Sequence, residues 1–252
     1  ADQVKAVVIS MNSPGGTTVG GEAIYEAILK LKAKKPVVTT VDTLAASAGY
    51  MISAATDHIV VRRSSIIGSI GVIFTYADAT ALLDKVGLEI KDVKTGLLKA
   101  EPAPYSKAPP EVEPALRELV NDTFNWFVDI VAENRPLDRA AVLKLADGKV
   151  FSGLRGVELK LADAIGGEQV AIDWLEAERD LQEELPVYAW RTSKDNDPFG
   201  FLDVASILRN EGARLSRDDL SELLALGAEN IRKLATPVDG LTSIWHPPTG
   251  NE

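Results

Sequence analysis

The chain has 252 residues, 46% of them hydrophobic, which suffices to bury a sizeable core as one α/β domain or two small ones. Its 27 lysines and arginines against 37 acidic residues leave a net charge of −10, with no basic run to track a phosphate backbone, so nucleic acid is not an expected partner. Cysteine is absent, which excludes disulfides, thiolate metal sites and a cysteine nucleophile, and any histidine base must be His58 or His246.

No run of about 18 apolar residues occurs, and the N-terminus lacks the charged, apolar and small-residue succession of an export signal. The chain enters a strand within four residues of Ala1, which leads us to expect a missing upstream segment. Val4 to Met11 (VKAVVISM) is β-branched and almost continuously apolar, the pattern of a strand covered on both faces of a parallel sheet. It runs into Ser13-Pro14-Gly15-Gly16, where adjacent glycines permit positive φ and let successive amides converge on one acceptor. A plain turn explains these residues equally well. Gly20 to Lys35 reads as a helix with Ala23, Ile24, Ala27, Ile28 and Leu31 on one face.

Pro36 to Asp42 (PVVTTVD) is a second strand, delivering the chain to TLAASAGYMISAATD and Ser47. A small polar group between a strand and a helix is a common mounting for a nucleophile, although serine before an alanine-rich helix is more often an N-cap. Ile59 to Arg62 and Gly68 to Phe74 are predicted as further strands, Tyr76 to Val86 as a helix and Leu88 to Val93 as another strand. Proline and alanine then dominate from Glu101 to Pro114, the mark of a loop. Glu111 to Arg135 is a long amphipathic helix whose stripe of Leu116, Leu119, Val120, Phe124, Phe127, Val128 and Val131 needs a partner surface. Three shorter helices follow, in DRAAVLKLADG, SGLRGVELKLADAIGG and EQVAIDWLEAERDL. Composition shifts after Leu181: a strand at Leu185 to Trp190, a polar linker at Thr192 to Phe199, and helices at Phe201 to Asn210 and Arg217 to Leu234 precede a tail carrying Trp245. Residues 1–181 are thus expected to form the main domain and 182–252 an extension packed on it or on a neighbouring subunit. Alternation of strands and helices predicts α/β architecture with parallel pairing.

A serine hydroxyl attacks an acyl carbon only when a base takes its proton and donors hold the oxyanion. His58 is separated from Ser47 by the intervening helix, about nine residues at roughly 1.5 Å each, and His246 sits in the tail. A neutral lysine can replace histidine, provided that burial lowers its pKa by roughly 2 to 3 units. Lys99, flanked by Leu97, Leu98 and Ala100, has the right local polarity, whereas Lys30 to Lys35 crowd one another; sequence alone does not show which lysine is buried.

Four runs, SPGG at Ser13 to Gly16, AASAGY at Ala45 to Tyr50, GSIGV at Gly68 to Val72 and KTGLLK at Lys94 to Lys99, resemble in order and spacing the signal peptide peptidase A (protease IV) family, over about Val4 to Leu181. The interval of 52 residues between Ser47 and Lys99 is similar to that of its single-length bacterial branch. The resemblance implies a ClpP/crotonase-like fold and a serine endopeptidase with a Ser-Lys dyad that cleaves remnant signal peptides. It makes Ser47 the nucleophile, Lys99 the general base, and the backbone amides of Gly15 or Gly16 and of Ala48 the oxyanion hole, with Ser69 a candidate to orient the lysine. It further implies extended apolar peptide substrates, no metal or cofactor, a ring-shaped homo-oligomer with an octamer as one form, and a catalytic domain outside the cytoplasm, held at the bacterial inner membrane by a segment absent from this chain. Two departures stand out: Ala48 replaces the family's usual glycine, at a cost of roughly 1 kcal/mol if the position needs positive φ, and the anchor and first strands are absent. The competing readings are an inactive ring-forming scaffold of the same fold and a crotonase-like acyl-CoA enzyme.

Overall fold

The computed structural model describes residues 4–179, 181 and 185–189. The chain divides into two compact units, the first running through Gln182; residues 4–179 and 181 belong to it, and its architecture is described by itself. In order it contains β1 (Val7–Ser13), α1 (Thr18–Lys32), β2 (Val37–Ala46), α2 (Ala48–Ala54), β3 (His58–Val61), β4 (Ile66–Gly68), α3 (Thr80–Val86), α4 (Val112–Asn134), α5 (Arg139–Leu145), β5 (Val150–Ser152), α6 (Gly153–Glu158), β6 (Ala164–Ile165) and α7 (Glu168–Glu178).

These strands form one six-stranded sheet organised on β2, with β1 along one edge of it and the order β5-β4-β2-β3-β6 across the rest. Every pairing is parallel except that of β4 with β5. β2 changes partner along its length: Val38 to Val41 pair with β3, whereas Leu44 to Ala46 pair with β4 on the same edge. Ser65 closes that fork, its buried hydroxyl donating to the Val41 carbonyl at 2.7 Å and accepting the Arg62 amide at 2.9 Å. The consequence is that the C-terminal end of β2, where Ser47 follows, is gripped from both sides.

Alternation along β2 sends side chains to opposite faces. Val37, Val41 and Ala45 join Ile59, Val61 and Ile67 in the main core, covered by α1, α2 and α4 through Tyr25, Ile28, Tyr50, Met51, Phe127 and Val131. Val38 and Val60 face the other way onto α7, against Ala171 and Leu175. The predicted partner for the apolar stripe of α4 is therefore the main core, reached by its C-terminal half.

Several sequence expectations are revised. The strand expected at Gly68 to Phe74 ends at Gly68, because Ser69 has φ 52° and its amide is taken by the Lys149 carbonyl at 2.8 Å. The helix expected from Tyr76 starts at Thr80, where the Asp78 carboxylate accepts the Thr80 amide at 2.9 Å. Leu88 to Val93 is not a strand: its backbone finds no sheet edge among the described residues, and it is exposed. Residues 185–189 have no regular structure, against the expected strand there, and the linker, helices and tail beyond lie outside the described residues. β5 and β6, three and two residues long, are too short to show periodicity and were not expected. No described helix is long and apolar enough to cross a membrane.

Candidate active site

β2 ends at Ala46 and α2 begins at Ala48, leaving Ser47 alone at the bend with φ 52° and ψ −123°. That combination lies outside the regions comfortable for an L-residue and costs on the order of 1–3 kcal/mol, a strain found mostly where function requires it. Ser47 occupies the N-cap position of α2, yet its side chain makes no cap hydrogen bond. Its backbone is held: the amide donates to the Gly68 carbonyl at 2.9 Å, and its own carbonyl accepts from Tyr50 and Met51 at 2.9 and 3.0 Å. The hydroxyl is left free of structural duty while the backbone is fixed.

A cavity of about 510 Å³ opens beside it, lined by Pro14 and Gly16 of the glycine turn, Thr18 of α1, Ser69, Gly71, Val72 and Ile73 after β4, Val120, Asn121 and Phe124 of α4, and Ala146, Asp147 and Gly148 before β5. The walls are stitched together, Gly148 donating its amide to the Ile70 carbonyl at 3.2 Å and Ser69 to the Lys149 carbonyl at 2.8 Å. Asp147 is the cavity's charged group. The Lys149 ammonium at 3.0 Å and amide at 3.2 Å hold its carboxyl below the usual carboxylate range.

The SPGG turn is self-supporting. Gly15 takes φ 123°, a conformation closed to side-chain-bearing residues, and its amide donates to Ser13 Oγ at 3.2 Å. The Gly15 amide is thus engaged within the turn, while Gly16 lines the cavity. Gly49 allows the turn to approach α2, since a Cβ there would lie 3.0 Å from the Ser13 carbonyl oxygen.

Ala48 lies within α2, and the positive φ belongs to Ser47 instead, so the strain feared at Ala48 does not arise. Its methyl faces Gly21 of α1, where an added Cβ would come within 3.0 Å. A glycine on the opposing helix makes room for it. Thus the structure brings Ser47, Gly16 and Ser69 to one cavity, with Ala48 next to Ser47. Lys99 is exposed and does not line that cavity.

His58 is set apart from Ser47 by register: it pairs with Val38 near the start of β2, whereas Ser47 follows the far end of that strand. It stacks instead on Trp174, ring centroids 4.5 Å apart. His246 lies outside the described residues. Sequence reasoning missed Thr18, Asn121 and Asp147 as cavity residues; Asn121 follows Val120 in the apolar stripe of α4, and its polarity there was the available signal.

Comparison with known proteins identifies a family. The family model described as peptidase family S49 matches residues 29–182. A candidate protease of Methanocaldococcus jannaschii is 38% identical over 175 residues, covering 69% of this chain and 56% of that protein. A candidate signal peptide peptidase SppA of Enterococcus faecium is 35% identical over 199 residues, covering 79% of this chain and 56% of that protein. Protease 4 of Haemophilus influenzae is 28% identical over 247 residues, covering 98% of this chain and 40% of that protein. The chain therefore spans little more than half the length of the first two of these relatives, and less of the third. The matched span takes in Ser47, the cavity walls formed by residues 69–73 and the whole of α4, and on that basis the chain belongs to peptidase family S49.

Proposed function

We propose that the chain is a serine endopeptidase of the signal peptide peptidase type, with the ClpP/crotonase-like fold that S49 membership implies. The observation that carries the reading is the strained Ser47, uncapped and facing a cavity between a glycine turn and the start of α2. In the reaction the Ser47 hydroxyl attacks the scissile carbonyl carbon while the neutral amine of Lys99 takes its proton. The backbone amides of Gly16 and Ala48 hold the oxyanion, and the Lys99 ammonium returns the proton to the leaving amine. Water, deprotonated by the same lysine, then attacks the acyl-enzyme and releases Ser47. Ser69, which also lines the cavity, orients the lysine amine. Pro14, Val72, Ile73, Val120, Phe124 and Ala146 give the cavity an apolar lining suited to extended peptides with small apolar side chains, as in signal peptide remnants.

Lys99 reaches Ser47 of a neighbouring copy in this reading. It stands on a segment with Leu82, Val86, Leu88, Val93 and Leu97 exposed, an apolar surface that a homo-oligomeric ring would cover. A lysine amine is a base only when neutral, the form that removal from water favours in general. The test is labelling with a fluorophosphonate, hydrolysis of an apolar peptide and mixing of inactive variants. Adduct at Ser47, inactive Ser47→Ala and Lys99→Ala proteins, and activity regained on mixing the two are expected. Labelling at another residue overturns the nucleophile; a mixture that stays inactive, with each variant assembled, places both dyad members in one copy.

A further inference from the structure

The two lysines of the KTGLLK run have opposite surroundings. Lys94 is half-buried, its ammonium donating to Glu101 Oε1 and pairing with Asp92 Oδ2 at 2.9 Å. The two carboxylates, Glu101 first, hold that ammonium well above the usual lysine range, so Lys94 stays protonated and is unsuited to act as a base. Glu101 is the more enclosed partner. Its side chain is only 4% exposed, and its second oxygen accepts the Ala103 amide at 2.9 Å. Tyr105 adds a hydroxyl bond to Asp92 at 3.4 Å.

Between these partners the chain makes two tight turns, Lys99 donating its amide to the Gly96 carbonyl at 3.1 Å and Glu101 to Leu98 at 3.3 Å, with Ala100 at φ 62°. One ion pair therefore closes the base of a six-residue loop, Thr95 to Ala100, on which Lys99 is carried two positions before Glu101. A carboxylate so covered is costly without its cation, so the pair and the loop shape are linked. A base positioned about 1 Å off can lose on the order of a hundredfold in rate, which makes the closure of this loop consequential.

We propose that Lys94 and Glu101 form a positioning clamp that sets the Lys99 amine for proton transfer; the inference rests on the reading of Lys99 as general base. The clamp acts through Lys99 and touches neither substrate nor reacting atoms. Glu101→Gln keeps the shape of the side chain and an acceptor for the Ala103 amide while removing the charge that binds Lys94. In peptide hydrolysis by the assembled protein, this variant and Lys94→Met are expected to lower kcat by about tenfold or more with KM within about twofold. The acidic limb of the kcat/KM profile should move up by about half a pH unit or more, because an amine released toward water is harder to deprotonate. Lys94→Arg, which keeps the cation, should stay within about threefold of the parent.

A limb that moves down with kcat retained is what loss of a nearby negative charge does by field alone, and it overturns the positioning role. So does a Glu101→Gln or Lys94→Met protein with the parent's kcat and pH profile when Lys99→Met is inactive. If Lys99→Met is itself as active as the parent, the base assignment has failed, and the clamp falls with it for that separate reason.

Discussion

Ser47 can be tested as a site of stored strain as well as a nucleophile, by comparing Ser47→Ala with Ser47→Gly. Its φ of 52° and ψ of −123° cost an L-residue on the order of 1–3 kcal/mol. Glycine is free of that strain but gives back roughly 0.5–1 kcal/mol in backbone entropy. The glycine variant should therefore exceed the alanine variant in stability by about 1 kcal/mol, or roughly 2–4 °C in Tm for a chain of this size. Ser47→Ala itself should change stability by less than about 0.5 kcal/mol, since the hydroxyl makes no cap bond, whereas loss of a working N-cap costs typically about 1 kcal/mol. Urea denaturation at fixed protein concentration, with m unchanged between variants, measures both differences. Both variants should fail to take up a fluorophosphonate. A glycine variant no more stable than the alanine variant would refute the strain, and a loss of about 1 kcal/mol or more in Ser47→Ala would restore the N-cap as the serine's role.

Three further outcomes follow from other parts of the first unit. The Arg135 guanidinium, 3% exposed, donates to both oxygens of Asp163 at 2.9 and 2.6 Å, so Asp163→Asn, which strands a buried cation, should cost about 3–5 kcal/mol in urea denaturation; a loss under about 1 kcal/mol would contradict that account. His58 has its pKa held below 6.5 by burial, against the raising influence of Asp163 and Glu178 and alongside the lowering one of Arg135. Its contribution to stability is therefore present above 6.5 and lost as pH falls through that value toward the folded one, where the unfolded chain takes up more protons. The same denaturation series run from about pH 7 to pH 5 should show a flatter decline for His58→Gln than for the parent, and an equal slope would exclude the histidine as its source. Gly49→Ala places a methyl 3.0 Å from the Ser13 carbonyl oxygen and 3.1 Å from its Cβ. Peptide hydrolysis should fall by about tenfold while Tm changes little, because the helix gains roughly 1 kcal/mol from alanine as the glycine turn is displaced; unchanged kcat would mean that the turn takes no part.

The elements best forecast from sequence were the long ones. The apolar run at Val4 to Met11 and the stripe of α4 located a parallel strand and a core helix within a few residues, but burial on both faces was not met by β1, where only Met11 is buried. Leu88 to Val93 misled for the converse reason: alternation and β-branching describe a side-chain pattern, while a strand also needs a neighbour for its amides. Of the candidate site residues, Ser47, Gly16 and Ser69 line one cavity and Lys99 does not. Thr18 and Asp147 were silent because each comes to that cavity from an element whose local pattern is explained by helix or turn alone, and Asn121 offered only its polarity beside the stripe of α4.

Ser47 shows where the two sources of information divide. The sequence by itself determined the strand that delivers this serine, the small residues around it, the glycine turn upstream and the family resemblance that named it a nucleophile. Only the tertiary structure decided that the positive φ falls on Ser47 and not Ala48, that the Gly15 amide is engaged by Ser13 while Gly16 lines the cavity, and that Lys94 is bound to Glu101 while Lys99 stands exposed on the loop between them. The physical reason is that backbone strain, amide direction and ion pairing depend on atoms brought together from distant parts of the chain. Periodicity and spacing report only on neighbours along it.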